Sequence, residues 1–179
     1  MADHHIRVNS APVLMLWATV VAERLGYDHA EALTLGRMVT TLDAQAKGKK
    51  LGIYKEHKER KEKRAQELKS KLRQGEVFLV DLVGRTVPAK VTDRGVRAVS
   101  EGRPVDPESV QRYLDKKFGP GLDDVRSAME KLAMAYSPDE LSGEAYSLYE
   151  KFRPIIPGGK RGWGAQGELD LDYIRSLAG

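Results

Sequence analysis

The chain has 179 residues, 41% of them hydrophobic and 31% charged, with a formal net charge of +4 at pH 7 and no cysteine. That is an ordinary globular composition, long enough to bury a substantial core. The missing thiol excludes disulfides, cysteine nucleophiles and cysteine-ligated zinc or iron–sulfur centres, and it fits a reducing, cytoplasmic setting.

The first expected element is an apolar helix from Pro12 to Leu25, capped by Ser10 and ended by Gly26. Val13, Leu16, Trp17, Val20 and Val21 give it a broad apolar face. The apolar run from Ala11 to Ala22 is shorter than the roughly 18 residues a membrane span needs, and it lacks the flanks of a secretory signal. A second helix is expected from His29 to Lys47, opened by a capping box of Asp28 and Glu31. Leu35, Met38, Val39, Leu42 and Ala46 share one face of it, and Gly36 allows a close crossing with the first helix.

Positive charge is concentrated immediately after this second helix. Residues 47–73 hold twelve Lys/Arg against four Asp/Glu, a net +8, so the rest of the chain carries −4. The glycines at 48 and 52 break the second helix, and Tyr54 to Gln74 reads as a third helix by propensity. Its first half has little apolar surface to bury, whereas Ala65, Leu68 and Leu72 are spaced to dock. A basic stripe on a near-neutral body is the electrostatic footprint of a nucleic-acid contact, with DNA or RNA phosphates as the partner. The residues assigned to it are Lys47, Lys49, Lys50, Lys55, Lys58, Arg60, Lys61, Lys63 and Arg64. A solvated Glu/Lys helix is the competing reading, and the excess of cations argues against it.

At Glu76 the apolar period changes from helical to alternating. Glu76 to Val91 reads as a small antiparallel hairpin turning at Val83-Gly84-Arg85, with Pro88 placing the second strand at an edge. Gly95 to Ser100 supplies a third short strand or a turn. Helix, helix, basic helix, hairpin is a winged-helix-like order.

The last third is helical. Asp106 with Pro107 starts one helix, with Val110, Tyr113, Leu114 and Phe118 inward. Leu122, Val125, Met129, Leu132 and Tyr136 mark the next. Ser137, Pro138 and Glu140 open a third, whose core positions are Leu141, Ala145, Leu148, Tyr149 and Phe152. A final helix is expected from about Leu171 to Ala178. The whole reads as α+β and predominantly helical, with six to seven helices. The working division is residues 1–100 and 101–179, either as two units or as one packed domain.

Gly162, Gly164 and Gly167 spell G-x-G-x-x-G, but the motif lacks its context. A dinucleotide loop needs a strand before it, a helix after it, and an acid about twenty residues on. Here a helix end and two prolines precede, only twelve residues remain after it, and Lys160 is followed by Arg161 rather than Ser or Thr. The loop is therefore read as packing around Trp163, with Lys160, Arg161 and Trp163 as an alternative ligand or partner loop.

The four histidines show no ligand spacing, no serine sits in a nucleophile elbow, and Asp170 is read as a helix cap. No catalytic group, metal or cofactor is assigned. A non-catalytic binding protein is the leading expectation. A self-associating scaffold and a small-ligand binder or enzyme near Trp163 are the alternatives.

Overall fold

The computed structural model describes residues 5–48, 75–154 and 166–178. Their order is β1 (His5–Asn9), α1 (Ser10–Leu25), α2 (His29–Gly48), β2 (Val77–Leu82), β3 (Arg85–Thr92), β4 (Gly95–Ser100) and β5 (Arg103–Pro104). Then come α3 (Pro107–Phe118), a 3-10 turn (Gly119–Gly121), α4 (Leu122–Met134), α5 (Pro138–Phe152), β6 (Gln166–Asp170) and α6 (Leu171–Ser176). The fold is α+β, mainly helical, with antiparallel sheets.

α1 is buried from Pro12 through Ala22, on every side rather than along one stripe. A helix apolar all round belongs at the centre of a core, and α1 packs against α2, α4 and α5. Its start differs from expectation. Asn9, not Ser10, is the cap residue, because β1 runs straight into the helix. Its end agrees with the sequence: Gly26 is left-handed at φ 115°, and its N–H reaches the Ala22 and Glu23 carbonyls.

α2 opens on the expected reciprocal box. The Glu31 amide donates to Asp28 Oδ1 at 2.8 Å, and the Asp28 amide donates to Glu31 Oε1 at 3.0 Å. Gly36 marks the crossing with α1. A Cβ there would stand 2.5 Å from Thr19 Oγ1 and 2.7 Å from the Met15 carbonyl oxygen.

The hairpin is larger than expected: four strands in the order β2-β3-β4-β5. β3 is not an edge strand. It pairs with β2 on one side and with β4 on the other. Pro88 is tolerated because the β3–β4 ladder stops at Ala89↔Ala98, so the proline lies just beyond it while facing Leu79 of β2. Both turn residues after β2 have positive φ, Val83 at 46° and Gly84 at 74°, the two-residue pattern that suits twisted strands.

Val80, Leu82, Val87, Ala89, Val96 and Ala98 are buried on one face of this sheet. α2 lies against it and closes the β4 edge. Glu31 Oε2 accepts from the Val96 amide at 2.9 Å, and Thr34 Oγ1 accepts from the Ala98 amide at 3.0 Å while donating to the Glu31 carbonyl. Two strand amides that would otherwise lack ladder partners are thus satisfied by a helix.

α3, α4 and α5 begin and bury as their periods require. Asp106 accepts from the Glu108 amide at the start of α3, and Ser137 with Glu140 forms a complete capping box on α5. Trp17 is fully buried, its indole N–H donating to the Ala145 carbonyl at 2.9 Å and its ring edge-on to Phe152. One contiguous buried cluster draws on α1, α2, the meander and all the later helices.

One pairing was invisible in the sequence. β1 and β6 form an antiparallel ribbon from His5↔Asp170 to Asn9↔Gln166, joining opposite ends of the chain. Val8 and Leu169 are buried beneath it. Asp170 then caps α6 by accepting from the Asp172 and Tyr173 amides, the role assigned to it.

Candidate functional site

The basic stripe meets the described residues at one position only. Lys47 lies in the last turn of α2, whereas Lys49, Lys50, Lys55, Lys58, Arg60, Lys61, Lys63 and Arg64 fall outside the described residues. So do Lys160, Arg161 and Trp163 of the glycine loop. What the structure does describe is how the two anchors of the basic segment are held.

The upstream anchor is α2, and three contacts fix its position. Near its start, Glu31 and Thr34 bind β4. In its middle, Gly36 lets it approach α1. Towards its end, the fully buried carboxylate of Asp43 pairs with Arg85 Nη2 at 2.5 Å, the arginine side chain being only 13% exposed. Arg85 reaches this position from the turn between β2 and β3 and also donates to the Gly84 carbonyl. Its guanidinium stands 5.3 Å from the Tyr146 ring centroid, and the Tyr146 hydroxyl donates to Asp43 Oδ1 at 3.4 Å. Burial, reinforced by the Asp43 charge, pushes the Tyr146 phenol above its ordinary pKa. Asp43, Arg85 and Tyr146 therefore tie α2, the β2–β3 turn and α5 at one buried point.

The downstream anchor is β2, where the Gly75 amide donates to the Val91 carbonyl at 2.6 Å and the Val91 amide to the Glu76 carbonyl at 3.2 Å. The ladder is thereby extended back to the point where the basic segment ends. Sequence reasoning did not single out Asp43 or Arg85. The available signal was an acid on the inward half of α2, next to Val39 and Leu42, which calls for a buried cation.

A second polar group joins the helices at the surface. Glu23 of α1 binds both Arg126 of α4 and His29 Nδ1 at the start of α2, and His29 Nε2 meets Gln111 Oε1 of α3 at 2.9 Å. Every member has a structural partner, so the arrangement clasps α1, α2, α3 and α4 together. Arg24 likewise spends its guanidinium on the Tyr136 carbonyl at the end of α4.

Among the described residues no cluster of three or more His, Asp or Glu is placed to hold a metal ion. Nor is any described helix long and apolar enough to cross a membrane. A cleft of about 400 Å³ lies between α1, α2 and α3, lined by Ala11, Met15, Arg37, Thr40, Thr41, Ala44 and Tyr113. Burial raises the Tyr113 phenol above its ordinary pKa, and the nearby Arg37 charge opposes the rise. None of these lining residues had been assigned a functional role from the sequence, because they come from three helices and share no motif.

No protein-family model, curated protein or solved structure matches the chain.

Proposed function

We propose that the protein binds nucleic acid without catalysis, contacting phosphates through the basic residues of segment 47–73. The observation that carries this reading is the polarisation of charge, +8 in that segment against −4 in the rest of the chain. A net-negative body has no general affinity for a polyanion, so attraction is confined to one place. The anchoring of α2 and β2 supports the reading, since a contact surface needs a defined exit and return. In the winged-helix-like version of this proposal, the basic segment is a further helix and the β2–β3 hairpin serves as the wing. Contact mainly with phosphates implies weak sequence preference and steep salt dependence.

The test is fluorescence anisotropy with generic duplex and single-stranded DNA and RNA across a salt series. The comparison protein carries Lys58, Arg60, Lys61, Lys63 and Arg64 all changed to Gln. Binding should weaken with salt, and the log–log slope should fall by roughly one for each phosphate that the variant no longer neutralises. No binding at low salt, or binding indifferent to the five changes, overturns the proposal.

A second reading, self-association, is favoured by one observation. Among the described strands β2 ends the sheet order, and Val77 and Leu79 on it are 63% and 44% exposed. Apolar edge strands are templates for pairing with another chain. Sedimentation equilibrium of the protein and of Leu79→Lys separates this reading from the first: a dimer abolished by the lysine supports it, and a monomer at all concentrations removes it.

A further inference from the structure

The cleft between α1, α2 and α3 has a volume of about 400 Å³, within the roughly 300–1,000 Å³ of small-molecule sites. Its chemistry is one-sided. Ala11, Met15 and Ala44 supply apolar surface, and no acid is among the described residues that line it. Arg37 stands at its wall, exposed, and its guanidinium makes no hydrogen bond or ion pair with another residue of the described structure. This sets it apart from Arg24, Arg85 and Arg126, whose guanidinium groups are all engaged. The Thr40 and Thr41 hydroxyl protons are committed to the Gly36 and Arg37 carbonyls. Among the described lining residues, the side-chain donors left uncommitted are therefore the Arg37 fork and the Tyr113 hydroxyl. Lys117 adds positive charge nearby, its ammonium 5.7 Å from the Tyr113 ring centroid.

We infer that this cleft binds a small organic carboxylate, the acid group held by Arg37 and Tyr113 and the apolar body resting on Met15, Ala11 and Ala44. The planar guanidinium matches a carboxylate with two parallel hydrogen bonds, a pairing that a compact ammonium does not reproduce. A phenol is protonated at neutral pH, so Tyr113 offers a donor and no competing anion. An apolar floor beside a single guanidinium suits one charge with a hydrocarbon attached better than a compact polyanion such as free phosphate. The residues named for the site lie outside segment 47–73, and the inference stands whether or not nucleic acid binds.

The experiment is methyl NMR of protein labelled at the methionine methyls, titrated separately with octanoate, octanamide and inorganic phosphate. The Met15 methyl should shift with octanoate, while octanamide and phosphate bind at least about tenfold more weakly, the scale of one missing charge-assisted pair. Arg37→Gln, at an exposed helix position, should weaken octanoate about tenfold and leave octanamide unchanged. Circular dichroism checks that the variant is folded, and Tyr113→Phe should give a smaller loss with the ring still in place. Four results overturn the inference: octanamide or phosphate binding as tightly as octanoate, octanoate affinity unaltered by R37Q, shifts confined to other methionines, or no shift at millimolar octanoate.

Discussion

Gly36 and Asp43 are the two residues of α2 at which a single atom decides most. Placing a methyl at Gly36 brings it to 2.7 Å from the Met15 carbonyl oxygen, a backbone atom that cannot rotate away as Thr19 Oγ1 can. Alanine gains about 1 kcal/mol of helix propensity over glycine, but overpacking a tight crossing costs about 1–3 kcal/mol. Gly36→Ala should therefore lower the urea midpoint, and a raised midpoint would show that α1 and α2 can separate at little cost. At Asp43 the argument is electrostatic. Arg85→Met removes the guanidinium that answers a fully buried carboxylate, and such losses cost about 3–5 kcal/mol. Adding Asp43→Leu should recover most of that loss, because the charge needing compensation is gone, and a denaturant series on the wild type, single and double variants measures it. Gly36 was legible in the sequence as a small residue in the middle of an apolar face. The Asp43–Arg85 pair was not, since its partners lie on different elements and nothing local to either names the other.

At the scale of elements, α2 and α5 show two ways of closing orphan backbone groups. α2 closes a strand edge: Thr34→Val keeps the shape but leaves the Ala98 amide without its 3.0 Å acceptor, a loss of about 1–3 kcal/mol for a buried donor. Amide exchange should accelerate most at Ala98 and its neighbours in β4, whereas uniform acceleration across the molecule would mean that the bond acts only through global stability. α5 closes its own N-terminus. Hydrogen bonds from the Ser137 backbone and hydroxyl hold the Glu140 carboxyl below its ordinary pKa. A depressed folded-state pKa stabilises above the unfolded value, and the contribution fades as pH falls through the folded one. Glu140→Gln should thus flatten the acid limb of the stability profile, read as thermal midpoints from neutral pH downward, while leaving the alkaline limb unchanged. Caps of this kind are legible because every part lies within four residues. The meander was legible only as its first hairpin and a short third strand or turn: β5 has two residues, too few to show alternation, and Pro88 pointed to an edge strand, whereas β4 pairs with β3 from Ala89 onward and leaves the proline just beyond the ladder.

Across the whole molecule, the last structural decision is the closing of the ends. The β1–β6 ribbon has five paired positions and would be marginal alone, since two strands in water bury too little to hold together. Its stability must come from the core beneath it. Val8, Leu169, Leu171 and Ile174 are buried in the cluster that also contains α1 and α4, and α6 packs on α4. The ribbon is thus part of the main core, which is why short alternations at the two termini, unreadable as strands, nonetheless form one. Leu169 puts this to the test, its side chain being fully buried on a strand of only five residues. If the ribbon were a loose appendage, Leu169→Ala would fray the ends and leave global unfolding unchanged. Because the leucine belongs to the shared core, its truncation should cost about 2–5 kcal/mol, the range for a buried leucine in a rigid interior. In a Trp163→Phe background, where Trp17 is the one remaining tryptophan, the loss should appear as one cooperative transition, reported alike by Trp17 fluorescence and by far-ultraviolet dichroism of the helices. A two-step unfolding curve, with the Trp17 signal unmoved by the mutation, would instead place the ribbon and α6 outside the cooperative unit.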